Sequence, residues 1–301
     1  MRRAVVSAIG VVAAIGAATT VWLSPRAPAP EKRACLSDTD EHTAHPGMVW
    51  IPGGTFEMGD DVYPEESPHR TVAVDGFWMD RTEVTNAKFA SFVHATHYVT
   101  LAERSGKSGA AVFVIPRGNA DLSTAASWWR YVEGANWKHP GGPNTTIDGR
   151  ENFPVVALTL EDIAAYANWK GSSLPSEAQW EFAARAGAQH APDHEQPKDA
   201  NTWQGVFPLI NTAEDGFAGL APGGCFKPNA YGLYDMIGNV WEWTSDEFAG
   251  HRPKARVIKG GSYLCTANYC MRYRAGARQP QEENLATSHV GFRTILKAPG
   301  P

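Results

Sequence analysis

Two cysteines separated by four residues, Cys265 and Cys270, carry the strongest chemical signal in this chain. They lie in a run of glycine, serine, tyrosine and arginine between residues 256 and 278. If the chain between them turns, both thiols face one point, and paired thiolates are soft ligands that select copper(I) or zinc. The same spacing suits a small disulfide, and spacing alone favours such a bridge in an exported protein. The pair therefore predicts either a redox or metal site or a structural bridge.

Two turn-rich segments, residues 201–217 and 229–243, mix acids, amides and glycine. Calcium takes carboxylate, amide and backbone carbonyl oxygens from loops of this kind. The candidate ligands are Asn201, Thr202, Asp215 and Phe217 in the first segment, and Asp235, Gly238, Val240 and Glu242 in the second. Neither segment has an EF-hand pattern, so composition alone favours Asx turns over metal sites.

Strands and helices that could position these groups are indicated by the apolar periodicity. Residues 49–58 predict a strand, a turn and a second strand, and residues 71–79 predict a strand with a turn at Asp75 and Gly76. The predicted helices span residues 85–96, 159–170 and 174–186. Residues 127–143 are loop-like but contain Trp128, Trp129 and Trp137, which either fill the core or line a groove. Core filling is favoured, because exposed loops seldom keep so much apolar ring surface.

The composition predicts one large domain with much irregular backbone. The chain has 301 residues, of which 43% are hydrophobic, with 29 glycines, 21 prolines and eleven tryptophans. A chain of this length can bury a full core, and large aromatic side chains can hold irregular backbone in place. The net charge of -5 gives no reason to expect nucleic acid as a partner. We expect a monomer of the α+β class.

The N-terminus is predicted to be a targeting segment. Residues 2 and 3 are arginines, and residues 4–23 are an uncharged apolar run. This pattern is typical of a signal peptide, although the run is almost long enough to remain as a membrane anchor. Residues 24–40 then form a proline-rich spacer. We expect an exported protein, periplasmic or extracellular. The N-terminal segment is either cleaved off or retained, in which case residues 4–23 tether the protein to the membrane. In that compartment Cys35 and Cys225 either pair with each other or are spare.

Blocks of distinctive sequence run through the chain. They are GMVWIPGGTFEMG (47–59), DRTEVTN (80–86), GANWKHPGGP (134–143), LPSEAQWEFAAR (174–185), NTAEDGF (211–217), NAYGLYDMIGNVWEW (229–243), KGGSYLC (259–265) and GFR (291–293). Together they resemble the formylglycine-generating enzymes, also called sulfatase-modifying factors. Most of these blocks mark only the broad superfamily. The cysteine pair is the discriminating part, because many relatives with the same scaffold lack it.

The resemblance implies a single irregular, loop-rich domain over residues 41–298, a C-type-lectin-like variant with little regular secondary structure. It further implies an oxidase that uses dioxygen and copper(I), held by Cys265 and Cys270. The implied substrate is a Cys-x-Pro-x-Arg segment of an unfolded type I sulfatase, whose cysteine becomes Cα-formylglycine. This conversion activates the sulfatase.

The resemblance also implies roles for residues outside the cysteine pair. Ser262, Tyr269 and Trp241 match positions around the cysteines, where two hydroxyls and an indole would shape an oxygen pocket. Trp128, Trp129 and Arg272 are weaker candidates for substrate binding, and for Arg272 structural pairing is favoured. The eight candidate calcium ligands match two structural calcium sites of the family, with Thr202, Phe217, Gly238 and Val240 contributing main-chain oxygen.

Two departures from the family pattern bear on its subtype. Vertebrate members carry extra cysteines near positions that hold Ala167, Ala184, Ala275 and Thr294 here. Both halves of each implied bridge are missing, which is typical of a bacterial-type member. His289 stands where relatives usually have asparagine. The alternative function is a non-catalytic scaffold member, an exported binding or accessory module in which Cys265 and Cys270 form a structural bridge.

Overall fold

Strands are short in this protein because glycine, proline and turn residues interrupt the apolar runs. The computed structural model describes residues 35–36, 45–104, 108–116, 118, 121–188 and 195–297, and all of them fall in one compact unit that begins at residue 33. Its strands are β1 (Met48–Ile51), β2 (Gly54–Met58), β3 (Arg70–Val74), β4 (Phe77–Asp80), β5 (Gly109–Phe113), β6 (Trp129–Glu133), β7 (Gly205–Val206), β8 (Ile210–Asn211), β9 (Trp241–Glu247), β10 (Ala255–Lys259), β11 (Arg278–Glu282), β12 (Val290–Gly291) and β13 (Ile295–Leu296). Its helices are α1 (Asn86–Thr96), α2 (Leu160–Lys170) and α3 (Glu177–Arg185).

The first four strands lie where the sequence predicts them. β1 pairs antiparallel with β4, whose other edge carries β13, and β2 pairs with β3. The turn between β3 and β4 requires glycine, because a Cβ at Gly76 would lie 2.4 Å from Cζ2 of Trp50. The alternation in residues 49–58 and 71–79 therefore predicted the positions of these four strands, while the structure pairs each strand with one from the other segment.

The three predicted helices are confirmed, each with a polar cap at its start. Thr85 accepts a hydrogen bond from the Lys88 backbone at the start of α1. At α2, the Thr159 backbone N–H donates to Asp162 Oδ2 at 2.9 Å. Ser176 accepts from the Gln179 backbone at α3. Such caps satisfy backbone groups at a helix end that have no partner within the helix.

The interpretation of residues 127–143 as loop is wrong for its first part. Residues 129–133 form β6, which pairs antiparallel with β5 so that Trp129 lies opposite Phe113. The residues of β6 show no clear alternation, and the strand is defined by its partner rather than by its own pattern. Trp137 fills the core as expected, only 3% exposed and edge-on to Phe89.

A four-stranded sheet in the order β11, β10, β9, β12 forms the C-terminal half of the domain. α3 contacts β9 and β10, and a buried ion pair joins helix and sheet. Nζ of Lys259, which has no exposed surface, lies 2.8 Å from Glu181 Oε2 and 3.5 Å from Glu177 Oε1. The predicted α+β, loop-rich architecture is confirmed.

The two remaining cysteines are paired: a disulfide joins Cys35 to Cys225, which is one of the two predicted alternatives. It ties part of the predicted proline-rich spacer to an apolar cluster that contains Phe226 and Ala221. The predicted targeting segment, residues 1–23, and most of residues 24–40 lie outside the described residues. Within the described part of the chain, none of the helices is long and apolar enough to cross a membrane.

The buried ion pair generates a stability prediction. Lys259→Met should lower the free energy of unfolding by about 3 kcal/mol or more, because it leaves two buried carboxylates with less positive charge around them. Urea unfolding at neutral pH measures this. Lys254→Met is the matched control: Lys254 Nζ lies 3.5 Å from Glu283 but its side chain is 54% exposed, so we expect a change within about 0.5 kcal/mol. Equal losses for both variants would contradict the assignment.

Candidate functional site

The residues predicted for catalysis and substrate binding surround one pocket of about 400 Å³. Its wall contains Cys265, Cys270, Ser262, Tyr269, Trp241, Trp128, Trp129 and Arg272. They come from β6 and the residue before it, the start of β9 and the turn-rich segment between β10 and β11. The pocket therefore exists only when these separate segments have folded together.

A closed turn brings the two thiols together. The Thr266 N–H donates to the Cys270 carbonyl at 3.1 Å, and the Cys270 N–H donates back to the Thr266 carbonyl at 2.9 Å. The Cys265 N–H donates to the Ser262 carbonyl. As a result the two sulfurs lie 3.1 Å apart, and both cysteines are free. A disulfide has an S–S distance near 2.05 Å, so the thiols are adjacent but not bridged.

A glycine makes this turn possible. Gly261 has a φ of +77°, a conformation that side chains with a Cβ rarely adopt. A Cβ there would also lie 2.7 Å from the carbonyl oxygen of Arg272. Glycine at this position lets the two ends of the cysteine segment approach each other closely.

The two thiols differ in their electrostatic environment. Cys265 is 2% exposed, and burial raises the pKa of its thiol. The hydrogen bond from Cys265 lowers the pKa of Cys270, and the positive charge of Arg272 acts in the same direction. The opposite directions of these two pKa shifts make Cys270 the sulfur that loses its proton first. Negative charge on sulfur is what makes a cysteine a nucleophile or a metal ligand.

Aromatic rings and hydroxyls line the space beside the thiols. Trp241, at the start of β9, is 2% exposed, and Ser262 is fully buried. The ring of Tyr269 stacks on Phe207 with 4.3 Å between ring centroids and lies edge-on to Trp128. Burial raises the pKa of Tyr269, so its phenol keeps a proton that it can donate.

Arg272 is held by the protein itself, as favoured from the sequence. Its Nη2 lies 2.6 Å from Glu65 Oε1, and its guanidinium lies over the ring of Tyr63 at 3.9 Å from the centroid. Nη1 donates to the Arg278 carbonyl. Arg272 therefore contributes positive charge to the pocket wall from a fixed position.

His289 lines the same pocket, with its ring centroid 4.7 Å from that of Trp129. Its Nδ1 is buried without a hydrogen-bond partner, and burial lowers the pKa of the imidazole to about 3. The ring is consequently neutral at physiological pH. A buried N–H without an acceptor is rarer in proteins than a buried lone pair, which favours the tautomer with the proton on Nε2.

Six further lining residues escaped the sequence analysis. They are Tyr63, Glu65, Phe207, Leu264, Gln279 and Pro280. Five of them belong to none of the distinctive sequence blocks, whereas Leu264 lies in the block KGGSYLC. Leu264, one residue before Cys265, could have been found by proximity to the motif. The others reach the pocket only through contacts between distant segments.

The first set of candidate calcium ligands clusters in the structure. Asp215 accepts hydrogen bonds from the backbone N–H groups of Thr202 and Phe217, at 3.0 and 2.9 Å. Oδ1 of Asn201 is buried and has no hydrogen-bond partner. An acceptor oxygen left in this way fits a site that takes a cation.

The second set is partly engaged with other groups. Oδ1 of Asp235 and Oε2 of Glu83 are buried without hydrogen-bond partners, and burial raises the pKa of Asp235 to about 6. Glu242 accepts hydrogen bonds from Arg293 and from Trp180 Nε1. In the described part of the chain no three His, Cys, Asp or Glu side chains converge as metal ligands. A cation here would therefore depend on amide and carbonyl oxygens as well.

The neutral state of His289 generates a pH prediction. In the unfolded chain its pKa is near 6.5, so below about pH 6.5 the unfolded state binds a proton that the folded state does not. The free energy of unfolding therefore decreases as the pH falls below about 6.5, by up to about 1.4 kcal/mol per pH unit. Replacing the imidazole with the amide of His289→Asn removes this loss.

Urea unfolding at several pH values checks this. Between about pH 7 and about pH 5, the stability of His289→Asn relative to wild type should rise by roughly 2 kcal/mol. His94→Asn, at an exposed position, is the matched control and should show no such trend. Parallel pH curves for wild type and His289→Asn would contradict a buried neutral imidazole.

Comparison with known proteins gives matches over the whole described domain. The family model described as "Sulfatase-modifying factor enzyme 1-like domain" matches residues 33–298. Formylglycine-generating enzyme of Mus musculus is 45% identical over 275 residues, covering 82% of this chain and 74% of the relative. The enzyme of the same name from Mycobacterium tuberculosis is 44% identical, covering 82% of this chain and 97% of the relative.

Two further matches show how widely the scaffold is shared. "Inactive C-alpha-formylglycine-generating enzyme 2" of Mus musculus is 41% identical, with 86% of this chain and 89% of the relative covered. The solved structure of PvdO from Pseudomonas aeruginosa has a TM-score of 0.61 at 23% identity, over 88% of this chain and 98% of that one. At that identity the likeness shows the fold alone.

Proposed function

The chain belongs to the sulfatase-modifying factor family, as its sequence blocks predicted, and we propose that it is a formylglycine-generating enzyme. It converts a cysteine in a Cys-x-Pro-x-Arg segment of an unfolded type I sulfatase to Cα-formylglycine, which activates the sulfatase. The observation that carries this proposal is the pair of free thiols 3.1 Å apart at the wall of the pocket. A scaffold without an active site has no need for two unbridged thiols in contact.

The reaction balances with dioxygen as the oxidant and a thiol as the external reductant. The substrate side chain changes from CH2–SH to CHO, which is a two-electron oxidation. Dioxygen takes up four electrons, so two more electrons and two protons come from the reductant. The products are the aldehyde, hydrogen sulfide and water. This assignment makes the protein an oxidoreductase that acts on a peptidyl cysteine.

We propose that Cys265 and Cys270 hold one copper(I) ion. Two free thiols, one of them with a lowered pKa, form a soft donor set of low coordination number, which suits copper(I) better than harder ions. Bound copper would supply the redox chemistry that lets the substrate thiol react with dioxygen. Both thiols would have to lose their protons to hold the ion, since metal ligation requires the thiolate.

The other pocket residues then have distinct tasks. We assign the phenol of Tyr269 and the hydroxyl of Ser262, which both line the pocket, as hydrogen-bond donors to the reacting oxygen, and such donors act more strongly where water is excluded. Trp241 closes the buried side of the pocket. Trp128 and Trp129 form an apolar wall for the substrate peptide. The positive charge of Arg272 stabilises negative charge on the two sulfurs.

The alternative is a non-catalytic scaffold member, and a relative named inactive at 41% identity shows that overall similarity does not separate the two. The discriminating feature is the state of the cysteine pair. In an accessory module the two residues would serve as a structural bridge. The free thiols and the hydroxyls beside them favour the oxidase.

Mass spectrometry of a synthetic Cys-x-Pro-x-Arg peptide tests this function. After incubation with copper-loaded protein, a thiol reductant and air, the peptide should exchange one sulfur and two hydrogens for one oxygen. Cys265→Ser and Cys270→Ser should give no product and bind no copper(I). Tyr269→Phe should lower turnover roughly tenfold, because a tenfold change corresponds to the free energy of about one hydrogen bond. Tyr131→Phe, a similarly exposed tyrosine on β6, should leave turnover unchanged. A folded, copper-loaded wild type that leaves the peptide intact would support the accessory module.

We also propose that two calcium ions stabilise the domain, through Asn201, Thr202, Asp215 and Phe217 in one site and Asp235, Gly238, Val240 and Glu242 in the other. The buried oxygens of Asn201 and Asp235 that have no hydrogen-bond partner support this proposal.

Calcium removal tests these sites. Free calcium at about a hundred times its dissociation constant should raise the free energy of unfolding by about 2.7 kcal/mol for each occupied site, relative to protein in chelator. Asp215→Asn and Asp235→Asn should each lose part of this gain, measured by urea unfolding with and without calcium. Asp75→Asn, at an exposed turn, is the control. If the free energy of unfolding of wild type is the same with and without calcium, both calcium sites are ruled out.

We further propose that the protein is exported, with residues 1–23 as signal peptide or anchor, and acts as a monomer. The disulfide between Cys35 and Cys225 supports this location, because such bonds persist in oxidising compartments.

A further inference from the structure

A small hairpin stands at the rim of the pocket. β7 and β8 pair antiparallel, with Val206 opposite Ile210. Between them, Phe207 reaches the pocket wall and stacks on Tyr269. The hairpin is therefore continuous with the site described above.

Apolar side chains are exposed on this hairpin to an unusual degree. Val206 is 53% exposed, Leu209 42% and Ile210 59%, and the adjacent Tyr269 is 51% exposed. Nine large apolar side chains are exposed among the described residues. Three of these four belong to the β7–β8 hairpin, and Tyr269 is joined to it by its stack on Phe207. We call these four residues the hairpin rim. Clustered exposed apolar groups mark binding surfaces, whereas single ones need no explanation.

The hairpin rim is held in place rather than loosely exposed. The ring of Phe207 packs against Phe113, Trp128 and Trp203, with centroid distances of 5.7, 5.7 and 5.2 Å. Trp203 Nε1 donates a hydrogen bond to the Ile210 carbonyl at 3.0 Å. A surface that is preformed loses little conformational entropy when it binds a partner.

The charge of this segment selects the kind of partner. Residues 203–213 contain no charged side chain, while the pocket wall formed by Glu65 and Arg272 carries an ion pair. An uncharged apolar surface matches apolar side chains and offers nothing to a charged peptide. Folded proteins bury most such side chains, whereas an unfolded chain presents them to solvent.

We propose that the hairpin rim binds apolar side chains of the substrate polypeptide that flank the cysteine being modified. This rests on the proposed function and adds a second recognition element outside the pocket. Because only an unfolded chain offers both the cysteine segment and apolar flanks, the rim favours polypeptides that have not yet folded. The rim thereby contributes to substrate choice without touching the reacting atoms.

Two peptides with the same Cys-x-Pro-x-Arg centre test this, one flanked by leucine and valine and the other by serine. Wild type should favour the apolar-flanked peptide by roughly tenfold in kcat/KM. The double variant Val206→Thr with Ile210→Thr keeps β-branched residues in the strands but should reduce this preference to about twofold or less. Val99→Thr, at a position 50% exposed and outside the β7–β8 hairpin, is the matched control and should retain it.

A binding measurement keeps this test separate from the test of function. Fluorescence anisotropy with metal-free protein and peptides whose cysteine is replaced by serine should show the same preference in the dissociation constant. If wild type modifies neither peptide, the proposed function fails while the binding preference still reports on the rim. If wild type shows no preference, or the double variant keeps it, the rim is not a substrate surface. A wild-type dimer in sedimentation that the double variant dissociates would make the rim a self-association face and overturn the proposal.

Discussion

One buried guanidinium holds the centre of this irregular fold together. All five N–H groups of Arg293 have acceptors, two of them the carboxylate oxygens of Glu242 and the others backbone carbonyls. Glu242 also accepts from Trp180 on α3 at 2.8 Å, so a single ion pair joins the central strand β9, a helix and several loops. A buried pair with every hydrogen bond satisfied tolerates little displacement. Trp241, the neighbour of Glu242 in β9, is thereby fixed as a wall of the pocket.

Elsewhere aromatic rings replace regular secondary structure as the means of holding loops. Trp203 is fully buried, and its backbone N–H donates to the Cys265 carbonyl at 2.9 Å. It also packs on Phe207, so it links the cysteine turn to the hairpin at the rim. The eleven tryptophans of this chain are therefore understandable in a domain of short strands. A large rigid ring makes many contacts with the surrounding backbone, and fixing it restricts only a few side-chain torsions.

The chemistry of the site follows from unequal burial of two identical groups. Cys265 is 2% exposed while Cys270 is only partly buried, so burial dominates at the first and the hydrogen bond at the second. The arginine beside them, Arg272, cannot swing away because Glu65 and Tyr63 hold it. In this setting Cys270 is the more easily deprotonated of the two thiols, and the pair offers a soft donor set for a metal.

Local features were determined by the sequence alone, because their causes lie within a few residues. Caps such as Ser176 and turns such as Gly76 placed the helices and the first strands, and the Cys265 and Cys270 pair within its sequence blocks identified the family. Only the tertiary structure decided which groups meet across the chain. It paired Cys35 with Cys225, made residues 129–133 a strand against β5, brought Glu65 and Phe207 to the pocket and left the hairpin rim exposed. Burial and contact depend on segments that are distant in sequence, and no local pattern records them.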